Sequence, residues 1–256
     1  MSGSFQDNKI EISDAIGKAR DKSDAAFQSW FNKSGDAEES FIRGAWDFAF
    51  YFASPAVCAV IKKPEEKRCL EIGYGGGRLL NASRNYFKYS YGVDIHPFHA
   101  EVRKELLKRA PVEDFELFRL QTEVFPLASN SIDYAYSFIV IQHFYSASIL
   151  KAYLGELGRV VKPGGVANLF FADLMKYPEK GSTVFLKALT GGCLELEIPP
   201  DATTAHNTLW VTRKWMAREL KAAGFKPMGY ASTYKGIPEG YGKRRGQQTG
   251  ILAMKV

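Results

Sequence analysis

Three glycines at alternate positions, Gly73, Gly75 and Gly77, follow a short apolar run that contains the carboxylate of Glu71. A turn of this kind between a strand and a helix lets a ligand approach the backbone closely, because glycine has no side chain in the way. The dinucleotide-binding pattern G-x-G-x-x-G would place its third glycine at position 78, which is Arg78. Taken alone, the turn is compatible with a dinucleotide, with a nucleoside, or with no ligand.

A second carboxylate, Asp94, follows 21 positions after Gly73 (94 − 73), at the end of the next apolar run. The carboxyl ends of neighbouring parallel strands face one crevice, and a carboxylate there can accept hydrogen bonds from both hydroxyls of a ribose. The alternative is structural, since Asp94 precedes a helix opened by Pro97 and could cap its amino end. Together with the glycine turn, the first interpretation predicts a ribose-containing ligand.

The elements that must position these residues begin at residue 66, where short apolar runs start to alternate with helical patterns. Such βαβ units, with right-handed crossovers, give a parallel sheet covered on both faces. The predicted strands are Arg68 to Gly73, Tyr89 to Ile95, Phe115 to Leu120, Ile132 to Val140, Gly165 to Phe171, Lys226 to Tyr234 and Gly246 to Val256. The predicted helices between them are Gly77 to Phe87, Pro97 to Lys108, Ala147 to Val161 and Thr212 to Ala223. The predicted fold class is α/β: a Rossmann-like, seven-stranded, mostly parallel sheet with helices on both faces.

Two segments fall outside this alternation. Residues 1–65 are rich in helical patterns and aromatic residues, and we predict an N-terminal helical cap preceding a domain at 66–256, with the first ~20 residues fraying or ordering only as a lid. After the fifth strand, residues 173–209 contain Gly191-Gly192 and Pro199-Pro200 and no clear alternation. A stretch this long inside a compact domain is usually an insertion or a functional lid, and we predict a lid.

Four motifs in order resemble the class I S-adenosylmethionine-dependent methyltransferases, over about residues 66–172 and the terminal helix and strands. They are the Glu71–Gly77 turn, Asp94-Ile95, the Phe125–Leu127 segment followed by Asn130–Asp133, and the Leu157–Gly165 turn with its Lys-Pro-Gly-Gly. The resemblance implies S-adenosyl-L-methionine as the cofactor and an enzyme of the small-molecule type. It implies that the cofactor is bound by Glu71, Gly73, Tyr74, Gly75, Gly77, Asp94, Ile95, Thr122, Glu123 and Ser137.

Two departures from the family pattern narrow the chemistry. Gln121-Thr122-Glu123 stands where relatives often have an acidic residue just before the adenine contact, so Thr122 and Glu123 are expected to act through backbone groups. The fourth strand is followed by Ser137–Val140 rather than by Asn/Asp-Pro-Pro-aromatic. This argues against the enzymes that methylate adenine or glutamine amides with that motif.

Methyl transfer requires alignment of acceptor, methyl carbon and sulfur, and an oxygen acceptor also needs a base. His143, just past the fourth strand, is the predicted base, with helix capping or packing at the rim as the alternative. Trp46, Tyr51 and His206 are predicted to contact the acceptor; for the first two, the alternative is the core of a packed helix. Tyr74 could touch the cofactor or cover the turn from solvent.

Charge and composition limit the partners. The net charge is +6, but the basic residues are scattered, which favours solvated surfaces over a nucleic-acid footprint and makes a small-molecule acceptor the expected partner. The apolar stretches are too short for a membrane span, and the amino end lacks a signal pattern. The three cysteines have no metal-like spacing and suggest reduced packing residues. We therefore expect a cytoplasmic protein without a metal site. The alternatives are a methyltransferase acting on RNA or protein and a non-catalytic cofactor-binding protein. The oligomeric state is not predicted.

Overall fold

A computed structural model describes residues 4–32, 37–197, 207–235 and 244–256. The helices in these ranges are α1 (Phe5–Lys22), α2 (Asp24–Asn32), α3 (Ala37–Asp47), α4 (Pro55–Cys58), α5 (Arg78–Ser83), α6 (His99–Arg109), α7 (Ala147–Val160), α8 (Thr183–Gly191) and α9 (Arg213–Ala222). The strands are β1 (Arg68–Ile72), β2 (Tyr89–Asp94), β3 (Phe115–Arg119), β4 (Ile132–Ser137), β5 (Val161–Asp173), β6 (Cys193–Glu195), β7 (Leu209–Val211), β8 (Phe225–Lys235) and β9 (Arg244–Lys255). A π-helical turn at Phe48–Phe52 joins α3 to α4.

The sheet has the predicted α/β architecture. Strands β3, β2, β1, β4 and β5 are parallel neighbours in that order, and β9 pairs antiparallel with β5 and with β8. Because the parallel strands share a direction, the ends of β1, β2, β4 and β5 all lie at one edge of the sheet, hereafter the carboxyl edge. One row of paired residues crosses the sheet just below that edge: Ile72, Ser137, Leu169, Ile251 and Tyr230.

Two short strands within the predicted insertion extend this sheet. Ala172 of β5 pairs with Trp210 of β7 and also with Gln248 of β9, so β7 lies on the side of β5 that faces β4. The β6–β7 hairpin therefore continues the sheet beyond the carboxyl end of β4. Each of its strands is three residues long, which is too short to give a readable alternation in the sequence.

Alternate residues of the strands supply two cores. On one face, Ala135 and Leu169 pack with α7 and α9 in the largest buried cluster. On the other face, Tyr134, Tyr136 and Phe170 pack against the aromatic residues of the π-helical turn. This is the period of two expected for strands buried on both sides, and truncating a fully buried leucine such as Leu157 of α7 is expected to destabilise the fold by about 2–5 kcal/mol.

Residues Phe5–Lys22 form a helix of 18 residues, α1, in a segment that the sequence predicts to fray or to order only as a lid. Ser4 and Asp7 form a reciprocal cap at its start, and Phe5 and Ile16 are buried, which compensates for the polar composition of the segment. The three cysteines are free thiols; Cys58 is exposed, so the expectation that all three are packing residues is wrong for Cys58.

Candidate active site

The glycine turn after β1 is held in a conformation that glycine adopts readily. Gly73, Gly75 and Gly77 have φ angles of +75°, +51° and +83°. The Gly73 N–H donates a hydrogen bond to the Val93 carbonyl of β2, 2.7 Å away, and a Cβ atom on Gly73 would lie 2.3 Å from Cγ2 of Val140. A side chain at this position is thus excluded both by backbone strain and by contact with the segment that follows β4.

Asp94 ties the turn to the end of β2. Its Oδ2 accepts a hydrogen bond from the Gly75 N–H at 2.8 Å, and its Oδ1 accepts one from the Ile95 N–H at 2.7 Å. The side chain is 12% exposed. Each carboxylate oxygen can accept more than one hydrogen bond, so the same group can take a ligand hydroxyl while it keeps the turn in place.

His96 is a residue whose role sequence reasoning missed. It is fully buried, and its Nδ1 accepts a hydrogen bond from the Phe98 N–H at 3.1 Å. The ring proton therefore lies on Nε2, which donates to the Gly75 carbonyl at 3.1 Å. The turn is fixed from both sides of Gly75, by Asp94 at its N–H and by His96 at its carbonyl. The only available signal was the closeness of the histidine to Asp94 in the sequence.

Glu71 lies beneath the turn, buried within the sheet. Its Oε2 accepts a hydrogen bond from the Tyr136 hydroxyl at 3.2 Å, and burial raises the pKa of Glu71 to about 8, although the nearby Arg78 guanidinium lowers it. Ser137, the last residue of β4, is also buried, and its hydroxyl donates to the Ile72 carbonyl at 3.0 Å. Both side chains serve the junction of β1 and β4, so any contact of Ser137 with a ligand is left to its backbone.

Tyr74 points away from the open side of the turn. Its ring packs against Gly92 and His96, and it is 2% exposed. Its hydroxyl has no hydrogen-bond partner among the described residues. Burial, with the Asp94 charge adding to it, raises the pKa of this phenol above its ordinary value. Of the two interpretations drawn from the sequence, this position favours a residue that supports the turn.

The segment after β4 carries a strained backbone. Ile139 has a φ of +59° and is 40% exposed, whereas β-branched residues almost never adopt this conformation. Strain of this type persists where the surroundings enforce it, and it is concentrated at functional sites. No pattern in the sequence signals this strain, because isoleucine is typical of a regular strand.

His143 ends a 3-10 turn at Ile141–His143, at the carboxyl edge next to β4. Its Nε2 lies 3.3 Å from Nε2 of Gln142, and its backbone carbonyl accepts a hydrogen bond from Asn8 of α1 at 3.0 Å. Gln142 is buried, and its carbonyl accepts hydrogen bonds from the Thr208 N–H and hydroxyl. The turn that carries His143 is thus held between the first helix and the β6–β7 hairpin.

Thr122 and Glu123 follow β3, beside the end of β2. The Thr122 side chain is exposed and its hydroxyl accepts from the Val124 N–H at 3.3 Å, while Glu123 is half-buried. The preceding residue, Gln121, accepts a hydrogen bond from Gln6 of α1 on its carbonyl, 2.8 Å away.

Comparisons with known proteins identify the family. Residues 70–169 match the family described as a methyltransferase domain. A solved magnesium protoporphyrin IX methyltransferase from Synechocystis PCC 6803, with bound SAH, is similar with a TM-score of 0.63 at 15% identity, over 98% of this chain and 100% of that one. A SAM-dependent methyltransferase from Methanosarcina mazei is similar with a TM-score of 0.59 at 16% identity, over 79% of this chain and 98% of that one. Residues 70–169 thus belong to a methyltransferase family, and the chain has the fold of S-adenosylmethionine-dependent methyltransferases. Its cofactor is the predicted S-adenosyl-L-methionine.

One curated relative acts on RNA. A segment of 117 residues, 46% of the methyltransferase chain, is 27% identical to tRNA (carboxymethyluridine(34)-5-O)-methyltransferase from Macaca fascicularis. The matched segment spans 16% of that protein. Within the described residues of the methyltransferase, no helix combines the length and apolar character that a bilayer crossing requires, and no group of three or more acidic, histidine or cysteine side chains is placed to hold a metal ion.

The N-terminal helices of the methyltransferase lie directly on its glycine turn. A Cβ atom on Gly75 would lie 2.7 Å from Cδ1 of Phe31 in α2, so the phenyl ring is in contact with the turn. The ring also packs 5.6 Å from His96, and Ser13 of α1 donates to the Ile95 carbonyl at 3.5 Å. Together with the α1 contacts to Gln121 and His143, these place the two helices across the ends of β1 to β4.

A separate cleft of about 360 Å³ opens at the β5 side of the carboxyl edge. It is lined by Phe50, Tyr51, Ser54, Arg213, Tyr230, Ala231 and Ser232. Of the three residues predicted to contact the acceptor, Tyr51 is in this lining. Trp46 is 76% exposed on α3 and is not part of it, and His206 lies outside the described residues.

Proposed function

We propose that this methyltransferase transfers the methyl group of S-adenosyl-L-methionine to a small-molecule acceptor. The observation that carries the proposal is the cleft of about 360 Å³ at the same edge of the sheet as the glycine turn, because this volume falls in the range of small-molecule sites. Tyr51 connects the two places: it lines the cleft, and its ring packs 5.1 Å from that of Phe138, the residue that follows β4.

The residues of the turn fit the cofactor. Gly73 and Gly75 hold the backbone of the turn in a left-handed conformation without side chains, and Asp94 presents a carboxylate at the end of β2 that can accept the ribose hydroxyls. Ile95, Thr122 and Glu123 border the neighbouring stretch, where we place the adenine. When bound, S-adenosyl-L-methionine supplies a methyl group already activated by its sulfonium. The protein's task is to orient the acceptor and to exclude water.

The cap at residues 1–65 and the insertion at 173–209 are proposed to act as lids over this site. Phe31 occupies the approach to Gly75, and Asp94 is only 12% exposed, so the cofactor can reach both groups only when α2 moves aside. The hydrogen bonds of α1 to Gln121 and His143 are donated by the polar side chains of Gln6, Lys9 and Asn8, and they can be exchanged for water when the helix lifts.

We propose His143 as the base for an oxygen acceptor, since it stands beside β4 at the carboxyl edge. Replacing His143 with Gln, which keeps a polar side chain, should lower kcat about 10²–10⁴-fold and leave cofactor affinity unchanged. Kinetics with the identified acceptor and calorimetry with S-adenosylhomocysteine check the two halves of this prediction. An unchanged kcat would mean that His143 is not the base and only packs at the rim of the site.

The acceptor class can be tested without knowing the acceptor. The methyltransferase is incubated with a cell extract and S-adenosyl-L-methionine labelled in its methyl group, and the label is measured in the ultrafiltrate, the RNA and the protein fractions. We expect label in a compound of the ultrafiltrate other than S-adenosyl-L-methionine itself, and much less of it with an Asp94→Ala variant at the same low cofactor concentration. Label confined to RNA or protein would overturn the small-molecule proposal while keeping methyl transfer.

An RNA acceptor is the second candidate, and the similarity to a tRNA methyltransferase favours it. Several of the basic side chains that such a footprint would need are engaged in ion pairs, as in Arg84 with Asp114 and Arg109 with Glu38. Gel-shift experiments with tRNA over a range of salt concentrations test this candidate, because phosphate contacts give a steep dependence of affinity on salt.

A further inference from the structure

We propose that the cleft at the β5 side of the carboxyl edge binds an acceptor that combines a flat aromatic or conjugated body with an anionic group, a carboxylate or a phosphate. This inference rests on the proposed function and names its substrate class. It is carried by the aromatic walls of the cleft and by the cation fixed at its rim.

The walls supply flat apolar surface from two separate parts of the chain. Phe50 and Tyr51 come from the π-helical turn, with their rings at 4.9 Å in an edge-to-face arrangement. Tyr230 comes from β8 on the opposite side and is 45% exposed. Aromatic side chains exposed to solvent around a concave surface are suited to a flat ligand, since each offers a ring face or edge to it.

The cation is Arg213, the first residue of α9. Its Nε donates to Asp173 Oδ2 at 3.1 Å, and the guanidinium lies 5.5 Å from the centre of the Tyr230 ring. The side chain is 46% exposed, and its two terminal nitrogens make no hydrogen bond to residues 4–32, 37–197, 207–235 or 244–256. Two donors of a planar fork are thus turned to the cleft, in the arrangement that binds a carboxylate or phosphate in bidentate fashion.

Asp173 fixes the position of this cation. The Asp173 side chain is 1% exposed and accepts hydrogen bonds from the Thr249 hydroxyl at 2.7 Å and the Met175 N–H at 3.1 Å, so it is committed to the protein. A second cation, Lys176, donates to Ser232 Oγ in the cleft lining at 3.3 Å. The amino end of α9 adds a partial positive charge beside Arg213.

The position of the cleft fits transfer to such an acceptor. Tyr230 pairs through Ile251 and Leu169 with Ser137 at the end of β4, so the cleft and the segment after β4 stand at the same height on the sheet. An acceptor held by its anion at Arg213 can extend along Tyr51 toward Phe138 and the strained Ile139.

The test uses two dyes that differ in one anionic group: anilinonaphthalene sulfonate and its uncharged analogue phenylnaphthylamine. Fluorescence titration measures the affinity of the methyltransferase for each. Arg213→Gln should weaken binding of the sulfonate about five- to tenfold and leave the uncharged dye within twofold. Arg218→Gln is the matched control, because Arg218 lies on the same helix, pairs with Glu219 and is not part of the cleft lining.

Arg213→Gln leaves the buried Asp173 without its cation, so a second pair of variants guards against loss of the fold. Ser54 lies in the cleft lining at the start of α4, with no hydrogen bond from its side chain to the helix. Ser54→Glu should weaken the sulfonate about fivefold relative to Ser54→Gln, which has nearly the same shape without the charge. The uncharged dye should bind both variants alike.

Titration of each variant with S-adenosyl-L-methionine separates this inference from the proposed function. Normal cofactor binding with equal affinity of the sulfonate for Ser54→Glu and Ser54→Gln overturns the anionic acceptor and leaves methyl transfer in place. Loss of both dyes in Tyr230→Leu, with cofactor binding retained, supports the aromatic walls. A wild-type protein that binds no S-adenosyl-L-methionine overturns the proposed function itself, and with it the acceptor class.

Discussion

The two halves of the carboxyl edge are built in different ways. The half formed by β1 and β2 is closed and held by backbone hydrogen bonds: Asp94 and His96 fix Gly75 from either side, and Phe31 covers it. The half formed by β5 and β8 is open, with rings and the Arg213 guanidinium turned to solvent. In the first half, the shape of the site depends on the backbone conformation of the glycine turn, which suits one cofactor. In the second half, the shape depends on side chains, which can differ between enzymes with different acceptors.

Among the changes in the closed half, Glu71→Gln is expected to have the largest effect, and the effect is on the stability of the protein. The folded-state pKa of about 8 lies above the ordinary 4.5, so the folded protein binds a proton that the unfolded chain releases, and stability falls as the pH rises between these values. Glu71→Gln, which stays neutral and still accepts the Tyr136 hydrogen bond, should match the wild type at pH 5 and exceed it by roughly 3 kcal/mol at pH 8. Denaturant unfolding at several pH values measures this difference.

Glu156 provides the matched control for that experiment. Its hydrogen bonds from Arg159 lower the pKa of the Glu156 carboxyl, so the stability that it provides is present above the unfolded pKa and is lost only as the pH falls through the folded value. Glu156→Gln should therefore lower stability by a constant amount between pH 5 and pH 8. A Glu71→Gln curve parallel to that of the wild type would mean that Glu71 is ionised within the fold.

The next effect tests whether the closed half binds the ribose. Asp94→Ala should weaken S-adenosyl-L-methionine by about 1.5–3 kcal/mol, because it removes charge-assisted hydrogen bonds. Calorimetry measures the affinity, and Glu123→Gln, a charge removed from the neighbouring predicted adenine region, serves as the control with a smaller loss. Unchanged affinity in a folded Asp94→Ala protein would limit Asp94 to tying the turn.

Phe31→Ala tests whether the cover over the turn must open. If α2 blocks the cofactor, removing the ring should speed association and raise affinity about fivefold, since less of the protein is held in the blocked state. Stopped-flow mixing with a fluorescent cofactor analogue measures the association rate. Phe41→Ala is the control, because Phe41 lies on α3, is 4% exposed in the neighbouring core, and its loss should mainly lower the melting temperature. Lower affinity for the Phe31→Ala variant would instead make Phe31 a part of the bound site.

The smallest effect is expected for a change in the segment after β4, which lies between the two halves. Ile139→Asn should stabilise the protein by about 1 kcal/mol, because asparagine tolerates the left-handed conformation that isoleucine resists. Ile42→Asn makes the same chemical change at a residue of α3 that is 53% exposed, and it should give no gain. Chemical denaturation compares the two variants. Equal changes in both would show that the backbone at Ile139 carries no strain.

The sequence predicts the backbone features of the closed half better than the side-chain contacts of the open half. The positions of the main strands along the chain, the glycine turn and the family were readable because they depend on alternation and on residues such as Gly73 that the backbone requires. The β6–β7 hairpin was not readable, since its strands are three residues long. The contact of Phe31 with Gly75 and the meeting of Tyr51 with Tyr230 join segments far apart in the chain, and no local pattern records such contacts.

Trp46 and Tyr51 show this limit within one segment. Both were predicted to reach the acceptor from their aromatic character, yet Tyr51 lines the cleft and Trp46 faces solvent. Trp46 precedes the π-helical turn at Phe48–Phe52 and Tyr51 lies within it, and the turn changes the direction in which successive side chains point. The helical periodicity of the sequence predicts a regular helix here and does not predict that change of direction.

The turn that carries His143 has a consequence for how the protein folds. Its neighbour Gln142 accepts hydrogen bonds from Thr208 and from the amide of Gln248, while the carbonyl of His143 accepts one from Asn8. Three segments that span almost the whole chain thus converge on two consecutive residues. Contacts of such long sequence separation form late, after the sheet that supports them. During synthesis, the carboxyl edge is therefore expected to be the last part of the molecule to become ordered, only after β9 has left the ribosome.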